Sequence, residues 1–239
     1  MAKGILITGT DTGVGKTMVG CALGFAMKVR GLRVGVMKPA ETGCVEQAGE
    51  LMPADAIALR ASASAIHPLE IICPYRYRSP LAPAAAADAD AMTPPDHDRI
   101  VSLFQRIAAD SDVVLVEGAG GIAVPLAWNF NYADLAAALR LDLILVVANR
   151  LGCLNATMLS LDYVACRNLR VAGYILNDAE QVDSAAARTN AASLRRLTSV
   201  PALGSVRYKE PLPLEIVKNV LEFCSQSSGI KAHESKHRP

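Results

Sequence analysis

A chain of 239 residues, 51% hydrophobic and 20% charged, is long enough to bury a sizeable core and too apolar to be disordered. Its net charge of +1 lacks the clustered basic excess that a nucleic-acid or membrane-surface partner would require. The six cysteines stand far apart with no C-x-x-C pair, which signals neither a zinc site nor a disulfide framework, and reduced thiols follow as the expectation.

The start, Met-Ala-Lys-Gly, runs directly into an apolar stretch without a signal-peptide pattern, and no apolar run reaches membrane-spanning length. A cytoplasmic protein without nucleic-acid or membrane partners is expected. Ile5 to Thr17 reads I-L-I-T-G-T-D-T-G-V-G-K-T, an apolar strand, a glycine-bearing loop and then a helix expected over Lys16 to Val29, with Gly31 to end it. That order is the one a phosphate-binding loop needs: small residues let successive N–H groups face phosphate oxygens, and the helix start adds the positive end of its dipole. Lys16 would hold the β and γ phosphates and Thr17 would offer its hydroxyl to Mg²⁺. The strict pattern wants glycine five residues before Gly15, where this chain has Thr10, with Gly9 one place early.

The next strand, Arg33 to Met37, ends in Lys38-Pro39. Lys38 therefore falls at the carboxyl end of a strand, where open parallel sheets bind ligands, or is simply a solvated strand end. Residues 44 to 53 read as loop and Ala54 to Ala61 as a short helix with Asp55 in its first turn, as a metal ligand or as a helix-dipole partner. Ile71 to Cys73 reads as a weak strand, and residues 74 to 83 as an extended, proline-punctuated crossing followed by an alanine run. Asp98 to Ala109 carries Ile100, Leu103, Phe104, Ile107 and Ala108 at helical spacing. Val113 to Val116 is a strand covered on both faces, and Glu117 at its carboxyl end is placed as a Walker-B-type carboxylate would be, ahead of Gly118, Ala119, Gly120 and Gly121.

Tyr132 to Leu139 reads as a helix and Leu143 to Ala148 as another buried strand. Asn149 to Asn155 then opens a helix with Met158, Leu161 and Ala165 on its apolar face; this glycine-bearing start is a second anion site or a turn in which Asn155 is an N-cap. Val171 to Leu176 is a strand, Ser184 to Thr198 a helix, Ala202 to Val206 a last strand, and Ile216 to Cys224 stripe a closing helix. Alternating strand and helix predict an α/β fold, a single-domain mostly parallel sheet flanked by helices of P-loop NTPase type over residues 1–225, with a flexible tail over 226–239.

Five separated motifs occur in one order: G-T-D-T-G-V-G-K-T, M-K-P-A-E-T-G, V-E-G-A-G-G, L-G-C-L-N and Leu176-Asn177-Asp178. In them the chain resembles the dethiobiotin synthetase family, ATP-dependent ligases of biotin biosynthesis, over about residues 4 to 210. The resemblance implies a Mg²⁺-dependent reaction of 7,8-diaminononanoate with CO₂ and ATP, giving dethiobiotin, ADP and phosphate. It implies Lys16 and Lys38 as catalytic residues about the γ-phosphate and carbamate, and Thr17, Asp55 and Glu117 as magnesium ligands. ATP would lie on Gly13, Val14, Gly15, Lys16, Thr17 and Met18, on Asp55 and Glu117 to Gly120, and on Asn177, Asp178, Arg207, Tyr208 and Lys209. Thr12, Lys38 and Thr42 would meet the diamine. The family's homodimer would bring Gly152, Cys153, Leu154 and Asn155 across to the other subunit's substrate carboxylate.

Two positions depart from the family: Gly13 stands where members often carry Glu, and Val206-Arg207 where they often carry Ile-Pro. The nearest alternative is a partitioning or septum-positioning switch ATPase, but such proteins carry a lysine early in the loop where this chain has Asp11. A cobyrinate-type amide ligase needs a glutaminase domain that the residues after 210 are too few to build.

Overall fold

The structure, a computed structural model, describes residues 2–180 and 184–228. The elements run β1 (Lys3–Gly9), α1 (Lys16–Val29), β2 (Val34–Met37), β3 (Ala40–Glu41), β4 (Val45–Gln47), β5 (Glu50–Met52), α2 (Ala54–Ala63), α3 (Leu69–Ile72), β6 (Tyr75–Arg76) and α4 (Pro83–Ala89). They continue as α5 (His97–Ala109), β7 (Val113–Gly121), β8 (Pro125–Ala127), β9 (Phe130–Asn131), α6 (Tyr132–Leu139), β10 (Asp142–Ala148), α7 (Cys153–Cys166), β11 (Val171–Asn177), α8 (Ala185–Leu197), β12 (Ala202–Val206) and α9 (Leu214–Ser228).

Six strands pair in parallel in the order β12-β11-β10-β1-β7-β2. Parallel neighbours need crossovers, and the crossovers cover both faces, so strand residues alternate between two buried layers. Ile5, Ile7, Leu115, Ile144 and Val146 face α1, α2 and α9. Leu6, Val114, Val116 and Leu143 face α5 and α6, while Leu145, Val147, Tyr174 and Leu176 face α7 and α8. The chain winds from β1 toward β2 on one side and from β10 toward β12 on the other, so β1 sits where the winding reverses. In such sheets the crevice beyond the strand ends at that point receives the ligand.

Several starts and ends follow local chemistry. Asp96 caps α5 by accepting from Arg99 N at 2.8 Å, and Asn131 with Asp134 forms a capping box on α6. The expected strand over 71–73 is instead α3. Its apolar run is too short for periodicity to separate strand from helix, and Pro68 accepts from Ile72 N at 3.1 Å as the first turn closes. Residues 44 to 53, expected as loop, contain the antiparallel hairpin β4-β5, turned by Ala48 and Gly49 with φ of 52° and 85°. Tyr75-Arg76, within the expected crossing, pairs with β3, and the alanine run is α4 with Pro83 in its first turn. On α7 the buried positions are Cys153, Thr157, Leu161 and Val164, whereas Ala165 is exposed.

α9 runs to Ser228, past the expected start of the tail at 226, and the remainder of that tail lies outside the described residues. Among the described residues no helix is long and apolar enough to cross a membrane.

Candidate active site

The loop between β1 and α1 has Gly13 at φ 74° and Gly15 at φ 95°, both in the left-handed region that glycine enters without strain. Thr10 lies outside that region and donates its N–H to the Val146 carbonyl at 3.0 Å, so the loop needs no glycine there. Gly15 is also the N-cap of α1 and offers no side-chain acceptor, which leaves the first-turn N–H groups facing outward for an anion. A Cβ on Gly15 would come within 2.2 Å of Asn177 Nδ2. That amide donates to the Val14 carbonyl at 2.8 Å, so the buried Asn177 at the end of β11 braces the loop from beneath.

Behind the loop lies a cluster of opposite charges. Lys38, at the end of β2, is buried, with Nζ 2.6 Å from Glu117 Oε1 and 3.0 Å from Asp55 Oδ2. Burial alone would depress the ammonium, but the two carboxylates outweigh it and hold Lys38 above its ordinary value. Its burial and its two carboxylate partners remove the reading of Lys38 as a solvated strand end. Lys16 Nζ donates to the Asp11 carbonyl at 3.0 Å. Its pKa is pushed down to about 8 by burial and by the Lys38 charge, against the partial support of Glu117 and Asp55.

Thr17 Oγ1 donates to Glu117 Oε1 at 2.8 Å, while Glu117 Oε2 is buried without a hydrogen-bond partner. Asp55 presents a side chain that is 42% exposed. A hydroxyl, one fully buried carboxylate with an orphaned oxygen, and a second carboxylate in the first turn of α2 make a hard oxygen set. It fits a Mg²⁺ ion that keeps several waters and shares nucleotide phosphates.

These groups line a cleft of about 540 Å³ together with Thr12, Gly13, Thr42, Ala119, Gly120 and the wall Pro80-Leu81-Ala82. Thr12 and Gly120 also line a second cleft of about 540 Å³, which reaches Leu159, Ser160 and Tyr163 on α7. A crevice of about 40 Å³ lies on the other side of Thr12 and Gly13, against Asn149, Arg150, Ala179 and Glu180. The strand ends thus bring together Lys16, Thr17, Lys38, Asp55 and Glu117 from four separate segments.

Other expected residues lie apart from that cleft. Arg207, Tyr208 and Lys209 form an exposed turn after β12, where Lys209 has φ 58° and lies over the Tyr208 ring at 5.2 Å. Asp178 accepts from Asn149 Nδ2 at 2.8 Å beside the crevice. Gly152 is the N-cap of α7, at φ 91° and without a side-chain cap, so Asn155 is not the cap. Asn155 stands exposed in the first turn, outside the lining of the cleft with Lys38, while Cys153 is buried.

Sequence reasoning missed two supports. Asn190 on α8 is buried and donates to Asn149 Oδ1 at 3.0 Å and the Arg150 carbonyl at 3.2 Å, fixing the crevice wall. Glu41, buried in the cleft lining, has its pKa raised by burial although Asp55 N and Ala56 N donate to it. The missing signal for Glu41 was that Pro53 supplies no cap to α2, so an acceptor had to come from elsewhere.

With two lysines, an open set of N–H groups and a hard oxygen set, the cleft can hold a metal-bound polyphosphate and stabilise charge growing beside its last phosphate. A family model described as an AAA domain matches residues 3–214. The chain is 44% identical over 212 residues to a protein named ATP-dependent dethiobiotin synthetase BioD in Anaeromyxobacter dehalogenans (strain 2CP-C), covering 89% of each chain. It is 38% identical over 216 residues to the protein of that name in Thermodesulfovibrio yellowstonii, covering 87% of this chain and 90% of the relative. Among solved structures, the MinD cell division protein of Aquifex aeolicus superposes with TM-score 0.57 at 14% identity, over 96% of this chain and 100% of that one. Cobyrinic acid a,c-diamide synthase from Mycobacterium smegmatis gives 0.56 at 14% identity, over 97% and 98%. At such identities these two likenesses bear on the fold alone.

Proposed function

Because the chain belongs to the family of ATP-dependent dethiobiotin synthetases, we propose that it closes the ureido ring of dethiobiotin from 7,8-diaminononanoate, CO₂ and ATP. The observation that carries this reading is Lys38, a buried ammonium paired with Glu117 and Asp55 at the strand ends, beside the phosphate-loop lysine in the lining of the open cleft. A switch ATPase needs the loop and the metal carboxylates. A cyclo-ligase also needs a fixed cation where a second anion is made.

In the proposed sequence one substrate amine takes up CO₂ and loses a proton to become a carbamate. A carbamate oxygen attacks the γ-phosphorus and ADP leaves; the second amine then attacks the carbamoyl carbon, loses a proton to solvent and expels phosphate. Lys16 and the α1 N–H groups hold the γ-phosphate, and Lys38 offsets the negative charge shared by carbamate and phosphoryl oxygens. None of these groups becomes covalently attached, so the chain works by positioning and electrostatic stabilisation. Mg²⁺, when bound on Thr17, Asp55 and Glu117, would neutralise phosphate charge. Thr12 and Thr42 would meet the diamine, with Leu81 and Val124 supplying apolar wall to the same cleft.

The nucleotide would pass from Gly13 to Met18 toward the crevice beside Asn149, with Asn177, Asp178 and the Arg207 to Lys209 turn on its base side. One Asn177 amide hydrogen is already used on the loop, so its carbonyl oxygen and remaining hydrogen would face the base. Residues 1–225 are assigned to this activity as one domain. We further assign the working form as a cytoplasmic homodimer in which Gly152 to Asn155 of one subunit hold the remote carboxylate of the diamine bound by the other. Support comes from the uncapped N-terminus of α7 and from Asn155 standing exposed there.

A coupled assay for ADP release, run with and without diamine and bicarbonate, tests the reading. Release that depends on both is expected, and release that ignores both would favour the switch ATPase. Glu117→Gln and Asp55→Asn should each raise the Mg²⁺ concentration for half-maximal activity, because each removes a charge from the oxygen set. A magnesium titration that matches wild type would return that carboxylate to a structural role.

Asn155→Ala should raise KM for the diamine with little change in kcat, since a contact to a remote carboxylate contributes uniform binding. Mixing it with Lys38→Gln subunits should form heterodimers with one doubly damaged and one intact site. Activity at low diamine should then exceed that of either parent. Verified mixed dimers without recovery would rule out a shared site.

A further inference from the structure

α2 begins behind Pro53, an N-cap residue without a side-chain acceptor, and yet its second and third amides, of Asp55 and Ala56, are satisfied. Glu41 accepts from Asp55 N through Oε1 at 2.9 Å and from Ala56 N through Oε2 at 3.0 Å. Both oxygens are engaged on successive amides at the positive end of a ten-residue helix, which fixes the carboxylate and the helix end against each other. A serine or asparagine in place of Pro53 would cap locally without burying a charge. A remote carboxylate does something a local cap does not, for it ties the helix start to another part of the fold.

That other part is the segment that delivers Lys38. Glu41 lies three residues beyond it, in β3, where Ala40 and Glu41 pair in register with Tyr75 and Arg76. The Lys38 N–H is itself fixed on the Ile72 carbonyl at 2.8 Å. Within a few residues the chain therefore supplies the ammonium and the clamp on the backbone of Asp55, whose side chain lies 3.0 Å from that ammonium.

We propose that Glu41 is a positioning residue, a remote cap on α2 that sets where the Asp55 carboxylate stands relative to Lys38 and the phosphate loop, and through it the magnesium requirement of the nucleotide site. The proposal rests on Asp55 acting as a magnesium-site carboxylate and is independent of ring closure. It also explains why a buried acid is kept in a cleft wall whose other charges are already balanced.

The test compares Glu41→Gln, Glu41→Asp, Asp55→Asn and the double variant Glu41→Gln/Asp55→Asn with the wild-type chain. Two readouts need no turnover: amide hydrogen exchange at Asp55 and Ala56, and the Mg²⁺ concentration that half-saturates binding of a non-hydrolysable ATP analogue in calorimetry. Glu41→Gln leaves one amide without an acceptor, so exchange at the α2 start should quicken about ten-fold and the magnesium requirement rise about five-fold. Glu41→Asp keeps the charge but withdraws the oxygens by one methylene, and should shift both readouts the same way. It also serves as the folded probe where Glu41→Gln does not fold.

In the Asp55→Asn background, Glu41→Gln should add no further rise, since the group being positioned is already neutral. An unchanged magnesium requirement alongside faster exchange would make Glu41 a structural cap and overturn the proposal. So would an equal rise in both backgrounds, or wild-type behaviour of Glu41→Asp. The readouts omit the diamine, so a failure of the ring-closing reading shows in the ADP-release assay alone.

Discussion

Lys38→Gln is expected to lower kcat/KM for ring closure by roughly 10²- to 10³-fold, the loss typical when a fixed group aimed at developing charge is removed. ATP binding should stay within about two-fold, since the loop, Lys16 and the α1 amides remain and make the phosphate contacts. The two measurements separate the roles: calorimetry with ATP reads the loop, and single-turnover dethiobiotin formation reads Lys38. A second effect follows from the burial of Lys38 between Glu117 and Asp55. Removing one member of a buried ion cluster leaves the other uncompensated, typically costing about 3–5 kcal/mol. The unliganded variant should therefore melt well below wild type at neutral pH. A variant that bound ATP and closed the ring at the wild-type rate would remove Lys38 from the chemistry.

Lys16→Ala should abolish detectable turnover and also the rise in Tm that ATP gives the wild-type chain, because the γ-phosphate loses its cation. The unliganded protein should behave oppositely to the Lys38 variant. Lys16 is held at about 8 in the fold against 10.5 for a free lysine, so at neutral pH its charge is a burden on the folded state. The sign follows from proton binding: between those two values the unfolded chain holds more protons, and stability rises with pH across that window. Lys16→Ala should thus melt no lower than wild type near pH 7 and lose the wild-type gain on going to pH 10. Normal turnover in this variant would remove the loop assignment.

The fold was legible wherever a long pattern repeated. α1, α6 and β12 fall on the bounds that periodicity and punctuation predict, and the runs ending in Glu117 and Ala148 are buried on both faces as their unbroken apolar character requires. Short apolar pieces were not legible. Ile71-Ile72-Cys73 has too few residues to show a period, and its helical turn is decided by Pro68 and by packing against the β2 layer. Likewise Ala165 and Val164 differ by one step in a helix, and only the packed sheet decides which is buried.

The site divides the same way. Lys38 follows β2 directly, Glu117 lies in β7 opposite Ile7, and Lys16 and Thr17 open α1 after the loop, so the order of strand, loop and helix alone aims them. Asp55 needed the fold, because its partner Lys38 is seventeen residues away and its backbone is held by Glu41. Asn190 was invisible because it stands on a helix far from any motif and acts only through the Asn149 and Arg150 loop.

The place of β1 in the sheet bears on how the chain acquires its shape during synthesis. β1 has no early partner: Lys3 pairs with Val113 on one side, and Ile5 with Asp142 on the other. Even β2, the next sheet strand to be made, lies beyond β7 and cannot pair until that strand exists. The phosphate loop at the tip of β1 therefore waits, unsupported, while more than half of the nascent chain leaves the ribosome, and its brace Asn177 arrives later still. Pairing at such separations is slow because loop closure must precede any gain. Nucleotide affinity should consequently appear late and all at once during refolding or translation, which makes fluorescent ATP capture a reporter for completion of the sheet.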